Sequence, residues 1–167
     1  MRVEISSHLF ADVALQRRFA AEWSEILGHL TGLPGGSAAI GRAALMEVRA
    51  QISAGLSRFG WERDVSVLVD RAGRPIETPL RADFAKKGVV VEAGFGLRDS
   101  LYHDLFVIQV AGAGRAADIG VLVLPSMELV GSSPGNDNHA TYEQALELQR
   151  YRYALGATPF AIVGLTP

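Results

Sequence analysis

The 167-residue chain contains no cysteine, which excludes disulfide bonds and thiolate metal sites. Its apolar runs are short, and none approaches the ~20 residues that a membrane-spanning helix needs. The N-terminus lacks the basic region and apolar stretch of a secretion signal. We therefore expect a cytoplasmic protein with no membrane partner.

Several catalytic signatures are also missing. The segment Gly112-Ala-Gly114 lacks the third glycine and the preceding strand of a dinucleotide-binding motif, and no P-loop is present. The sequence contains no Gly-x-Ser-x-Gly elbow and no His-Glu-x-x-His pair. It therefore predicts no nucleotide cofactor and none of the hydrolases that use these two motifs.

The composition, with 49% hydrophobic and 20% charged residues, is that of a globular protein. Its length predicts one domain over residues 1–167, with a largely helical part over 1–60 and a catalytic core over 61–167. The net charge of −2 is unlike the basic footprint of most DNA-binding proteins. However, residues 42–98 hold ten of the 16 lysines and arginines. A basic groove and ordinary surface charge both remain open.

Apolar spacing divides the chain into helices and strands. Strands are predicted over residues 2–6, 65–69, 118–124 and 160–165, and a hairpin over 81–96. Helices are predicted over residues 10–30, 37–59, 97–110 and 141–155, with Ser37 and Thr141 at two helix starts. Strands joined through helices predict an α/β fold, in which a central mixed sheet has helices on both faces.

The hairpin carries the clearest chemical signal. Asp83 lies on its first arm, and Glu92 follows the apolar run Val89-Val-Val on the second. A carboxylate within a buried β-branched run is costly unless its charge is compensated. If the chain turns near Lys87-Gly88, both acids lie near one end of two paired strands and can face one Mg²⁺ or Mn²⁺. Alternatively, Asp83 is a surface acid and Glu92 pairs with an arginine.

The same stretch resembles the active-site hairpin of the BglII-type restriction endonuclease family, within the PD-(D/E)xK nuclease superfamily. The similar text is Asp83-Phe84, a short basic turn, and an apolar strand that ends in Glu92-Ala-Gly-Phe95. The similarity continues over most of the chain, through residues 98–109, 118–125, 138–145 and 159–165. It implies a restriction-endonuclease-like core.

The resemblance also implies an activity, which is hydrolysis of duplex DNA by a homodimer with Mg²⁺ or Mn²⁺. Asp83 and Glu92 would be the catalytic metal ligands, and the two subunits would act on the two strands of a palindrome. Two residues after the glutamate, the superfamily carries Lys, Glu or Gln, whereas this chain has Gly94. Glu47 on the second predicted helix, and His103 on the helix after the hairpin, are the candidate substitutes.

Candidate DNA contacts complete the prediction. Lys86, Lys87 and Arg98 can meet phosphates, and Asn136 and Asn138 lie in a polar loop whose side chains can read base edges. Surface charge and an ordinary loop explain the same residues. Two other functions remain open: a relative that binds DNA or a protein partner without cleavage because of Gly94, and a metal-independent interaction domain.

Overall fold

The computed structural model describes residues 1–35, 40–131, 138–151 and 156–167. Within these ranges, one sheet contains six strands: β1 (Arg2–His8), β2 (Glu62–Ser66), β3 (Arg81–Lys86), β4 (Val89–Ala93), β5 (Ile119–Pro125) and β6 (Phe160–Thr166). Their order across the sheet is β1-β6-β5-β4-β3-β2. Neighbours β4, β5 and β6 are parallel, while the other pairs are antiparallel, so the predicted mixed sheet is confirmed.

Helices cover both faces of the sheet, as predicted. The described helices are α1 (Ala11–Arg18), α2 (Ala20–Thr31), α3 (Arg42–Arg58), α4 (Arg98–Ala113), α5 (Met127–Val130) and α6 (Tyr142–Gln149). Buried residues of α1, α2, α3 and α5 form one core cluster with the sheet, and those of α4 and α6 form a second on the other face. None of the helices in the described part is both long and apolar enough to cross a bilayer.

The β3–β4 hairpin turns at the predicted position. Lys87 and Gly88 have φ values of 45° and 84°, the positive values that a two-residue hairpin turn needs to match the strand twist. The last residue of β3 pairs with the first residue of β4, and Phe84 pairs with Val91. The described pairing ends there, one residue short of Asp83 on β3 and of Glu92 on β4.

Several helices and strands differ from the sequence prediction. The single helix expected over residues 10–30 is wrong, because Phe19 leaves the helical region with φ −123° and separates α1 from α2. Leu15 on one helix and Trp23 on the other still belong to the same core cluster. The strand expected over 65–69 is wrong in both bounds, because it runs over Glu62–Ser66, and α5 was not expected. The helix expected over residues 37–59 is α3, which begins at Arg42. The predicted cap Ser37 lies outside the described residues.

The start of α6 agrees with the prediction. The Thr141 hydroxyl accepts from the backbone N–H of Gln144, whose side chain in turn accepts from the backbone N–H of Thr141. This reciprocal pair is a capping box, which satisfies two helix donors that would otherwise lack partners. The predicted continuation over residues 152–155 lies outside the described residues.

The parallel strands bring several chain segments to one end of the sheet. Ala93, at the end of β4, pairs with Val123 of β5, so the carboxyl ends of these strands lie side by side. The chain then enters α4, where the backbone N–H of Arg98 donates to the carbonyl of Asn138 at 2.7 Å. The segment before α6 therefore lies against the start of α4, at the end of the sheet that carries Glu92.

Candidate active site

Strand β3 is irregular at Asp83. Ala82 packs into the core cluster on the α4 side and Phe84 into the opposite cluster, although residues two apart on a regular strand share a face. The described pairing with β4 ends at Phe84 and Val91. Beyond it, Oδ2 of Asp83 accepts a hydrogen bond of 2.9 Å from the backbone N–H of Ala93. The carboxylate thus takes the place of a strand carbonyl, which fixes its orientation.

The cation that faces Asp83 is Arg49 of α3. Its Nη2 donates to both carboxylate oxygens, at 3.0 and 3.2 Å. The Arg49 side chain is 42% exposed and that of Asp83 is 26% exposed. Both line an open cavity of about 480 Å³ between α3 and the β2–β3 edge of the sheet. The ion pair is therefore within reach of solvent and of ligands.

Glu92 is buried and is not paired with an arginine side chain in the described residues. The residue is 4% exposed, and its Oε1 has no hydrogen-bond partner among the described residues. Burial, then the negative charges of Asp83 and Asp104, raise the pKa of Glu92 to about 9, against smaller opposing effects of a hydrogen bond with the Asp83 backbone and of the Arg49 charge. In the metal-free protein, this side chain is therefore protonated at neutral pH, because the cost of burying its charge outweighs these two effects.

A third acid, Asp104 of α4, faces the same end of the sheet. Its side chain is 13% exposed, and its contact with His103 Nδ1 is 3.7 Å long. Burial, followed by the charge of Asp83, raises the pKa of Asp104 to about 6, and the neighbouring histidine partly opposes this shift. Sequence analysis missed this residue. The available signal was its spacing from the apolar residues Leu101 and Ile108, which places it on the buried face of the helix.

The acidic groups fit a divalent cation through two carboxylates. Mg²⁺ takes oxygen ligands, keeps several waters, and is usually held by one or two carboxylates together with a phosphate. Asp83 and the unpartnered Oε1 of Glu92 supply that donor set. Across the described ranges, no group of three or more histidine, aspartate or glutamate side chains is arranged to coordinate one metal ion.

The family of this protein follows from a comparison over nearly its whole length. The model of the family described as restriction endonuclease BglII/BglIII matches residues 3–165. The chain belongs to this family. No curated protein sequence matches it significantly.

Two solved structures of BglII share the fold of this family member. BglII complexed with a DNA 16-mer is 17% identical, and the match covers 100% of this chain and 79% of that chain with a TM-score of 0.73. Free BglII is 19% identical, and the match covers 100% of this chain and 80% of that chain with a TM-score of 0.66. At these identities, the likeness establishes the fold, which is the restriction-endonuclease-like α/β core expected from the sequence.

In this BglII family member, the two residues predicted to substitute for the side chain absent at Gly94 lie in exposed positions. Glu47 is exposed on α3, accepts a hydrogen bond of 3.3 Å from Gln51, and does not line the cavity beside Asp83. His103 is 59% exposed and contacts Asp104. Their proposed catalytic roles stay predictions, and the described contacts of Glu47 offer no path to Asp83.

The two lysines of the hairpin lie away from the candidate metal ligands Asp83 and Glu92. The Lys86 ammonium donates to both Glu25 oxygens and to the carbonyl of Phe59, at 2.7 to 2.8 Å, and these contacts use its three donors. Lys87 forms a 3.4 Å ion pair with the buried Glu22. The turn lies roughly 13 Å along the strand from Asp83, at 3.3 Å per residue. The described contacts give both lysines structural partners, and their DNA contacts stay predictions.

Arg98 and Asn138 are exposed neighbours at the other end of the sheet. Their backbones are joined by a hydrogen bond, and an isolated bridge joins Leu97 to His139 beside them. Arg98 also begins α4, whose first N–H groups attract anions. Asn136 lies outside the described residues. The pair Arg98 and Asn138 is therefore the part of the predicted DNA interface that lies at the same end of the sheet as the acids.

Proposed function

We propose that this chain is a metal-dependent endonuclease that hydrolyses phosphodiester bonds in duplex DNA. The observation that carries the proposal is Glu92, a buried acid with one oxygen that lacks a partner in the described part of the chain, on the strand next to that of Asp83. Two carboxylates, one of them ion-paired to the partly exposed Arg49 and the other buried without a described cation in hydrogen-bond contact, suit a divalent metal ion. Membership of the BglII/BglIII family and the shared fold support DNA as the substrate, because the similar BglII structure contains a DNA 16-mer.

Asp83 and Glu92 would hold the Mg²⁺ or Mn²⁺ ion. The ion, when bound, would stabilise charge on the scissile phosphate and lower the pKa of a water. The backbone N–H of Ala93 holds Asp83 in a fixed orientation. Arg49 neutralises Asp83 in the metal-free protein and, being partly exposed, can turn towards a DNA phosphate once the carboxylate has a metal partner. Low solvent exposure around Glu92 strengthens its attraction to a cation.

Arg98 and Asn138 would contact the DNA beside this site. Arginine forms charge-assisted hydrogen bonds to phosphate, and asparagine can bond to adenine in the major groove. Both residues are exposed and lie where the chain leaves the carboxyl end of β4. Asn136, Lys86 and Lys87 remain predicted contacts.

The Arg98→Ala variant is expected to bind duplex DNA more weakly and to reduce the slope of log affinity against log salt by about 1, the effect of losing one phosphate contact. Fluorescence anisotropy at several salt concentrations, with Ca²⁺ in place of Mg²⁺, measures both quantities. Arg17→Ala is the matched control, because Arg17 is exposed on α1. Its neighbour Arg18 pairs with Asp118 just before β5, at the opposite end of the sheet. An unchanged slope for Arg98→Ala would remove this residue from the interface.

A homodimer would place two such sites on the two strands of a palindrome. An exposed aromatic surface supports a protein partner: Tyr102 and Phe106 of α4 are 55% and 57% exposed, and Tyr151 is 69% exposed. The three side chains line one cavity of about 350 Å³, so they form a continuous apolar surface of the kind found at interfaces. Sedimentation equilibrium of the free protein should give twice the monomer mass, and a monomer mass at all concentrations would refute the dimer.

A digest of mixed-sequence plasmid DNA tests the activity. With Mg²⁺ or Mn²⁺, the protein is expected to give discrete fragments, and EDTA is expected to prevent their formation. Fragment ends then identify a recognition sequence. If the protein binds DNA in a salt-dependent manner without cutting it, it is instead a non-cleaving relative. This is the second candidate function, and the observation that favours it is Gly94, which supplies no third active-site side chain. If the protein neither cleaves nor binds DNA, the remaining candidate function is that of an interaction domain.

A further inference from the structure

Gly94 is surrounded by atoms that leave no room for a side chain. Its backbone φ lies outside the left-handed region, so the backbone itself accepts any residue. A Cβ atom at this position would lie 2.7 Å from Cδ2 of Leu124 and 2.8 Å from Oδ2 of Asp104. Real Cβ atoms essentially never come this close to other atoms. The space in which the superfamily places its third active-site side chain is therefore partly filled by the carboxylate of Asp104.

The position of Asp104 on α4 directs its carboxylate towards the sheet. Leu101 and Ile108, one turn before and after it, are 1% and 0% exposed. The carboxylate has poor compensation for this environment, because His103 is largely exposed and its ring nitrogen lies 3.7 Å away. An acid on the buried face of a helix is costly when it serves packing alone.

The electrostatics join Asp104 to the two acids of the hairpin. The charge of Asp83 raises the pKa of Asp104, and the charge of Asp104 raises the pKa of Glu92. Arg49 opposes the shift in both acids, and His103 opposes it more strongly in Asp104. Independently of these shifts, the Oε1 atom of Glu92 is buried without a partner, in a residue that is 4% exposed. The Asp104 carboxylate therefore lies 2.8 Å from the Cβ position of Gly94, two residues after a buried acid that has one oxygen without a partner among the described residues.

We propose that Asp104 is the third carboxylate of the candidate site and replaces, from helix α4, the side chain that Gly94 lacks. The inference rests on the proposed metal-dependent function. Since no three acids in the described ranges are arranged to coordinate one ion directly, Asp104 acts on the ion through water. Mg²⁺ keeps several waters, and an ionised aspartate accepts hydrogen bonds from them. A larger residue at position 94 would then displace the Asp104 carboxylate or the end of the Leu124 side chain.

Cation binding without DNA tests this inference separately from catalysis. The EDTA-treated protein is titrated with Mn²⁺ by calorimetry, and circular dichroism checks the fold of each variant. Asp104→Asn is expected to weaken Mn²⁺ binding by about 10-fold or more, the effect of losing a group that supports metal ligands. Asp99→Asn is the matched control, because Asp99 is an exposed aspartate on the same helix, and its affinity should equal that of the wild type.

A second variant keeps every carboxylate. Gly94→Ala should push the Asp104 carboxylate out of its position and weaken Mn²⁺ binding, although it removes no charge. This variant decides the matter if Asp104→Asn does not fold. Wild-type affinity in a folded Asp104→Asn protein, together with lost affinity in Asp83→Asn, would overturn the role of Asp104 and leave the proposed function intact. Absence of Mn²⁺ binding and of DNA cleavage in the wild type would overturn both.

Discussion

The Asp83→Asn and Glu92→Gln variants are expected to fold and to lose DNA cleavage by about a thousandfold or more. A catalytic metal ion stabilises charge at the transition state by several kcal/mol, and each 1.4 kcal/mol is about a factor of ten in rate. Each substitution keeps the shape of the side chain but removes the charge that holds the cation. Initial rates of plasmid cleavage at a fixed Mg²⁺ concentration measure the loss.

A matched substitution separates the loss of a metal ligand from the loss of a nearby charge. Asp64 of β2 is 77% exposed and pairs with Arg81, so Asp64→Asn removes a carboxylate close in the fold to Asp83 without touching the acid pair. It should cleave at the wild-type rate. The two acids would not be the catalytic centre if Asp83→Asn and Glu92→Gln both cut DNA as fast as Asp64→Asn.

The Glu92→Gln variant is expected to be more stable than the wild type when metal is absent. Burial raises the pKa of Glu92 to about 9, whereas its unperturbed value is 4.5. Between these values, the folded protein retains a proton that the unfolded chain releases, and stability therefore falls as pH rises. Glutamine carries no titrating proton, so the variant avoids this loss. At pH 8, we expect a gain of about 2 kcal/mol or more, since one pKa unit corresponds to about 1.4 kcal/mol.

Urea denaturation in EDTA at pH 5 and pH 8 measures the difference. The two proteins should differ much less at pH 5, which is only half a unit above the unperturbed pKa of 4.5, and should diverge as the pH rises. The pKa of Asp104 is raised to about 6, and its charge in turn raises the pKa of Glu92, so the measurement at pH 8, where Asp104 is ionised, gives the full difference. A difference that is constant with pH would show that Glu92 is not protonated in the folded state.

The same experiment links stability to function. Added Mn²⁺ should stabilise the wild type at pH 8, because a ligand that binds only the folded state raises its stability. It should stabilise Glu92→Gln less, because that variant lacks one metal ligand. A side chain that destabilises the metal-free protein and is needed only when the ion binds is an expected feature of an active site, where function is retained at a cost in stability.

Local sequence patterns were sufficient for the hairpin and for most of the sheet. The run of valines before Glu92, the Lys87-Gly88 turn and the cap at Thr141 each depend on a few consecutive residues, and each was predicted. Boundaries were less certain, because Phe19 breaks a helix whose apolar spacing continues across it. The apolar spacing is the same on both sides of Phe19, so it carries no signal for the break.

The sequence by itself determined that two acids lie nine residues apart across a tight turn, and that a glycine follows where the superfamily has a functional side chain. Only the tertiary structure decided what surrounds them. Arg49 meets Asp83 across 34 residues of sequence, and Asp104 enters the space beside Gly94 from a helix on the other face of the sheet. Such contacts depend on how separate elements pack, whereas periodicity and turn chemistry describe each element alone.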